Sequence, residues 1–468
     1  MPDRVDAPAD GPGLPLPAPP EPPGPPARGA IASLVAWAGL LREPGFQGLW
    51  LAQTVSQLGT QVTLLAMPLV AILTLGASPL EVGILTAVDF LPFLLFTLPA
   101  GVWVDRLPRR RILIAADIGR AFILAAIPAA YLAGILEMWQ LYVVGFLAGT
   151  LTVFFDVGYQ AFLPELVPRE RLAEGNSRLE VSRSAAQVVG PGLAGVLVGL
   201  VTAPIAILVD AVSFLASASF LGRIPPDAVR ARPALEGARP GFVREIVEGL
   251  RYFAGNVYLR ATAAAVTVLN FAGQIGFAIY LVFVVRELGL SPGAIGLTVA
   301  IGGIGTVVGA ASAQGIARKL GVGPALMAAC GTFTVATLLV AIAPASMPIP
   351  FLVLSGLVQG PAVMVINVNA LSLRQAVTPD HLLGRVNATG RWIAWGTIPL
   401  GALVGGILGT TIGLRETIAI SSIGGLVAAG VIAVSPLRSL RVIPSLAEAS
   451  PETLPEPAAT ISAPPTGV

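Results

Sequence analysis

Asp89, Asp117, Arg120, Asp156 and Asp210 are charged residues set inside long apolar stretches of this 468-residue chain. An isolated ion in hydrocarbon is costly, so each should face a cavity or a partner. Burial favours the uncharged form of a carboxyl, and a carboxyl that loads and releases a proton can couple a proton gradient to another movement. Asp156 has no basic residue within one helical turn and is the first candidate for that role. A partner such as Arg120 on a neighbouring stretch would instead keep it ionised. Asp89 and Asp210 rank after it. Asp117 and Arg120 are three residues apart, share a helix face and read as a structural pair.

Uncharged amides recur with helical spacing. Gln53, Gln57 and Gln61 repeat every four residues, as do Asn270 and Gln274, while Gln359 and Asn367 are eight apart. Such stripes can line a cavity and bind a substrate or water; the plainer reading is hydrogen bonding between helices. Other chemistry is missing. One His (His381) and one Cys (Cys330) cannot build the usual zinc site or an intrachain disulfide. No phosphate-binding Gly-x-x-x-x-Gly-Lys-Ser/Thr stretch occurs. The expectation is a protein that is not an enzyme and has no cofactor and no metal.

The elements that position these residues follow from composition. Hydrophobic residues make up 55% of the chain and charged ones 12%, against about a quarter charged in a soluble domain. Mean hydropathy is +0.82. This excludes an ordinary soluble enzyme and a nucleic-acid-binding protein. A membrane-spanning helix takes about 20 apolar residues. Twelve runs qualify, at 46–75, 80–104, 112–134, 138–162, 179–201, 204–222, 259–286, 293–316, 323–344, 348–372, 387–411 and 416–435. Pro344, Pro348 and Pro350 make the junction of the ninth and tenth a short turn.

Basic residues fix the orientation. With both termini cytoplasmic, every Arg and Lys except Arg120, Arg286 and Arg415 falls on the cytoplasmic side, as positive charge retained inside requires. Arg120 is then the one basic residue read deep within a span, with Arg183, Arg260 and Arg391 counted at the cytoplasmic ends of their runs. That argues for a neutral or cationic substrate rather than a strongly anionic one.

The segments divide as a Pro-rich tail (1–44), six spans (45–222), a loop (223–258), six spans (259–436) and a second tail (437–468). Both tails are expected to be disordered. Within the loop, Phe242, Ile246, Leu250 and Phe253 lie at helical spacing, which predicts an amphipathic helix on the inner membrane face. The halves are related. When Pro168 is placed on Pro379, Leu172, Asn176, Gly190 and Gly195 fall on Leu383, Asn387, Gly401 and Gly406 without a gap. Such duplication predicts two six-helix bundles facing each other across a central site.

The loop after the second span contains Gly101, Asp105, Arg106, Arg109 and Arg110. It resembles the Gly-x-x-x-Asp-Arg-x-x-Arg-Arg signature of the major facilitator superfamily, with Pro108 where that family usually has Gly. The resemblance implies an all-α membrane fold of twelve transmembrane helices in two pseudo-symmetric bundles. It also implies that Asp105 and Arg109 make charge contacts with neighbouring helix ends, latching the halves together while the transporter faces outward. The equivalent loop of the second half has Arg318 and Lys319 but no matching Asp. Gly190, Pro191 and Gly195 resemble the Gly-Pro-x-x-Gly-Gly motif of the family's drug antiporters, with Ala194 in place of one Gly; the plainer reading is glycine-mediated packing. Phe154, Phe155, Asp156, Gln160, Pro164, Pro168 and Asn176 resemble a subgroup that includes macrolide exporters and the enterobactin exporter.

The function expected from this resemblance is export of a small amphipathic organic molecule by proton antiport with alternating access. The implied partners are that small molecule, protons and the lipid bilayer, with no nucleic acid. The chain is expected to be a monomer in the inner cell membrane. The alternatives are a dedicated siderophore or secondary-metabolite exporter, and a non-transporting membrane scaffold or receptor of the same fold.

Overall fold

A computed structural model describes residues 39–226, 229, 242–379 and 382–444. The expectations for the rest of both tails, for His381 and for the arginines at 230–239 lie outside the described residues. Twelve helices are long and apolar enough to span a bilayer, and no strand occurs among the described residues. The first six are α1 (Pro44–Leu69), α2 (Pro79–Arg106), α3 (Arg109–Leu132), α4 (Met138–Leu166), α5 (Leu172–Val201) and α6 (Ala203–Gly222). A short helix, α7 (Phe242–Gly255), precedes α8 (Val257–Arg286), α9 (Pro292–Leu320), α10 (Val322–Ala341) and α11 (Pro348–Ala376). The eleventh span is two segments, α12 (Leu383–Gly396) and α13 (Ile398–Thr411), and α14 (Leu414–Ala433) is the last.

Local sequence sets the ends. Ser78 and Glu81 form a capping box on α2, with Pro79 at the first helical position. Asn256 Oδ1 accepts from the Tyr258 and Leu259 amides to start α8. Gly321 (φ 91°) and Gly413 (φ 106°) supply the left-handed residue at the tight joints α9–α10 and α13–α14. The eleventh span breaks at Thr397 because Pro399 has no N–H to continue the helical ladder.

Helices α1–α6 pack as one bundle and α8–α14 as another. Between bundles, α5 lies against α9 and α2 against α13. The main apolar core runs across both bundles at the end carrying the loops at 75–78 and 287–291, where Leu69, Leu85 and Phe214 join Phe283 and Ile295, and a small cluster of Ala87, Ala278 and Ala402 also joins them. At the other end, where the described chain begins and ends, it divides. Leu40, Phe46, Phe162 and Leu179 form one cluster within the first bundle. Leu259, Leu326, Leu373 and Leu437 belong to another within the second.

Three details differ from the sequence expectation. Leu40 and Leu437, expected at or inside disordered tails, are fully buried, and Gly323 donates to the Leu440 carbonyl at 2.8 Å. Helix α7 also docks on the second bundle. Phe253 is in that bundle's core, Tyr252 donates to the Val377 carbonyl at 2.5 Å, and Arg385 donates to Glu248 at 2.6 Å. Leu250 remains exposed, so the expected apolar stripe is split between protein and surroundings. Helix α5 begins at Leu172 and α12 at Leu383, each several residues before the expected span.

Candidate functional site

The bundles meet through glycines at one end. A Cβ added to Gly195 (α5) would stand 3.0 Å from Gly296 Cα (α9), and one added to Gly83 (α2) would stand 2.8 Å from Gly406 Cα (α13). Only residues without side chains allow helices this close. Arg286 ties the same end by donating to the Gly76 and Ala77 carbonyls at 3.0 and 2.6 Å. The Leu80 amide donates to Thr410 Oγ1 at 3.2 Å. Along α2 the contact fades. Phe93 meets Trp395 edge-on at 5.7 Å, whereas a Cβ on Gly101 would meet nothing within 4 Å. The bundles therefore splay apart toward the end that carries the termini.

The motif at that end is bound within the first bundle. Arg109 Nη1 donates to the Ala161 carbonyl and to Glu165 Oε1, at 2.6 and 2.7 Å. Arg110 donates to the Leu221 and Gly222 carbonyls at 2.9 and 2.5 Å, capping the end of α6. Arg106 is exposed, and Asp105 lies in the last turn of α2 with its side chain outside the described structure. Gly190 packs on Gln61, with 2.5 Å between an added Cβ and Gln61 Cγ, and Pro191 is buried in the same stretch of α5.

The charged residues inside the first bundle form a node. Arg120 Nη2 donates to Asp117 Oδ1, and Ser217 donates to Asp117 Oδ2 at 2.6 Å. The Arg120 guanidinium is held between the rings of Phe155 and Phe214, 4.3 and 4.0 Å from their centroids. Asp210 accepts from Thr63 at 2.5 Å and from Ser213 at 3.0 Å. Asp156 lies within electrostatic range of Arg120, of Arg183 on α5 and of Arg391 on α12. Asp89 differs from all of these: its Oδ1 is buried without a partner.

The amides divide by partner. Gln57 Nε2 lies 3.5 Å from Gln53 Oε1, and Asn270 is committed to the Ala394 carbonyl at 3.0 Å. Gln274 Oε1 is buried without a partner. Gln359 is half-buried and Asn367 exposed.

The sequence reading missed the cations of the spans. Arg178, Arg183, Arg374, Arg385 and Arg391 all lie on membrane-spanning helices, so Arg120 is not the sole basic residue there. The positive-inside count assigns all five to the cytoplasmic side: Arg178, Arg374 and Arg385 because α5, α11 and α12 reach further than the apolar runs, and Arg183 and Arg391 although they fall just inside the runs at 179–201 and 387–411. Arg183 and Arg391 are exposed, and both interact with Asp156, Arg183 from the same bundle and Arg391 from the other. Arg374 lines a cavity of about 10 Å³ with Thr262 and Thr267. A larger apolar cavity, about 260 Å³, lies between α2, α3 and α4 beside the stacked rings of Trp103 and Phe154.

Comparison with known proteins agrees with this architecture. The family described as "Major Facilitator Superfamily" matches residues 49–398. The "Uncharacterized MFS-type transporter YfiS" of Bacillus subtilis (strain 168) is 27% identical over 58% of this chain and 63% of its own length, so the match spans less than two thirds of that relative. The "Multidrug efflux pump Tap" of Mycolicibacterium fortuitum is 28% identical over 77% of this chain and 88% of its own. "Macrolide efflux protein A" of Streptococcus pyogenes is 28% identical over 48% and 55%. Among solved structures, a bacterial homologue of the iron transporter ferroportin in an inward-facing state is similar, with a TM-score of 0.66 and 18% identity over 84% of this chain and 98% of that one.

Proposed function

The chain belongs to the Major Facilitator Superfamily, and from that membership we propose that it exports a small amphipathic organic molecule by proton antiport with alternating access. One observation carries this reading: the bundles are joined by backbone contact at one end and part at the other. With the termini cytoplasmic, as the basic residues favour, this is the inward-facing state, ready to take substrate from the cell. Rocking about the centre closes that end and opens the other. Relatives named as efflux pumps support export. Asp105 and Arg109 are assigned the latch of the opposite state, Gly190, Pro191 and Gly195 the helix that seats the closed end, and the amides of α1, α8 and α11 the cavity wall. Asp117 and Arg120 are assigned a structural role.

A second reading is favoured by Arg183 and Arg391. Two exposed cations facing one carboxylate, Asp156, suit an acidic secondary metabolite or siderophore better than a lipophilic cation. Inside-out vesicles that report proton flux with a dye test both readings. A respiration-driven gradient is challenged with lipophilic cations, macrolides and acidic chelators. Discharge by one class in vesicles with the protein, and not in vesicles without it, gives the antiport and the class. No discharge by any of them, despite confirmed insertion, overturns proton antiport of these molecules.

A further inference from the structure

Among the described residues, no charged group interacts with Asp89. Its Oδ1 is enclosed without a hydrogen-bond partner. It lies against Gly145 of α4, where an added Cβ would collide with that oxygen. One turn on, a Cβ on Gly149 would be 2.7 Å from the Asp89 carbonyl. Helix α4 thus presents a notch of two missing side chains, filled by the Asp89 carboxyl and backbone.

Charged groups on α2 and the other spans are engaged elsewhere. Glu81 accepts from Ser78, Asp117 pairs with Arg120, Arg286 holds the loop carbonyls, and Asp156 interacts with Arg391. None of them interacts with Asp89. Asp89 is half-buried; at its enclosed Oδ1 a carboxylate ion has no donor to compensate it, whereas the neutral acid costs less to bury. Asp156, Asp117 and Asp210 differ in having cations or hydroxyl donors that act against the cost of burying the ion. Position adds a second argument. Asp89 lies on α2 between its two cross-bundle contacts, Gly83 with Gly406 and Phe93 with Trp395, on the stretch along which the bundles part.

We propose that Asp89, rather than Asp156, carries the coupling proton, held as the neutral acid in the Gly145–Gly149 notch while the Gly83–Gly406 crossing is closed. The assignment rests on the antiport reading. The carboxyl takes a proton from water when the crossing opens, returns with it as the bundles rock, and gives it to water of the terminus-side cavity. Only an O–H bond forms and breaks.

Infrared difference spectra of the purified protein in nanodiscs at neutral pH read this proton directly. The C=O stretch of a protonated acid is expected in the wild type, absent from Asp89→Asn, and retained in Asp156→Asn and Asp210→Asn. The second arm uses proteoliposomes with an imposed pH gradient. Its probe is whichever of erythromycin, ethidium and salicylate the wild type equilibrates fastest. Asp89→Asn is expected to lose gradient-driven accumulation at least tenfold while keeping gradient-independent equilibration, and Asp89→Glu to keep both. Should Asp89→Asn fail to insert, Gly145→Ala serves instead: its Cβ displaces Oδ1, and the acid band should shift or vanish. An acid band unchanged by these variants, or coupling in Asp89→Asn equal to wild type, overturns the role of Asp89 and leaves antiport standing. A wild type that equilibrates a probe yet ignores the gradient overturns both.

Discussion

Gly83 of α2 and Gly406 of α13 meet backbone to backbone, with 2.8 Å between a Cβ placed on Gly83 and the Gly406 Cα. The duplication explains why a second such contact exists. Gly406 is the repeat-mate of Gly195, and Gly195 makes the other crossing, on Gly296. One glycine inherited by both halves seats each bundle against the other at the same end. The motif in α5 therefore has a steric role at the closed end: it sets how near α9 can come.

Gly195→Leu should weaken that closed end selectively. Overpacking costs about 1–3 kcal/mol and applies only where the bundles touch. The population should move toward separation at this end by about 5- to 150-fold. The disulfide-formation rate of a Leu80→Cys/Thr410→Cys pair measures it, since the Leu80 amide and Thr410 Oγ1 are 3.2 Å apart. The rate should fall in Gly195→Leu, and an unchanged rate would separate the crossing from the equilibrium.

Arg120 holds the interior of the first bundle. It pairs with Asp117 and lies between Phe155 and Phe214, while Asp156 and Asp210 are within its electrostatic reach. Arg120→Leu leaves buried carboxylates unpaired, at a cost of about 3–5 kcal/mol. The melting temperature in detergent should drop sharply. The double variant Arg120→Leu/Asp117→Leu should recover part of the loss, because it removes the stranded charge as well.

The twelve spans, the duplication and the pairing of Asp117 with Arg120 were legible because hydropathy and helical spacing are local properties. What α4 offers to Asp89 was not. Gly145 and Gly149 look like ordinary helix glycines until the register of α2 against α4 is known. Arg183 and Arg391 are a different case. Both fall near the starts of the apolar runs at 179–201 and 387–411, and hydropathy alone does not separate a cation at the edge of a run from one in a loop. The amide stripes were found at the right spacing, yet spacing does not say that Asn270 is already committed to the Ala394 carbonyl.

The exposed cations bear on substrate class. Losing one charge-assisted hydrogen bond costs about 1.5–3 kcal/mol, so Arg391→Ala should weaken binding of an acidic probe by roughly 10- to 150-fold. A neutral macrolide should bind as before. Equilibrium binding of both probes to the purified protein checks this. Equal losses for both would mean that Arg391 shapes the cavity and does not recognise charge.

Gly101 is the counterpart of Gly83 at the other end of α2. It now faces open space, Trp103 beside it is exposed, and Arg109 and Arg110 are bound to α4 and α6 of their own bundle. Alternating access requires that this end close when the Gly83 end opens. Gly101→Leu should therefore leave the present state within about 0.5 kcal/mol of wild type, with an unchanged melting temperature, while obstructing the opposite state. Transport should be lost, and the Leu80→Cys/Thr410→Cys pair should cross-link faster, the reverse of Gly195→Leu. Asp105→Asn should also abolish transport in a folded, inserted protein by removing the charge of the proposed latch. Wild-type transport in both variants would mean that this end does not close through α2.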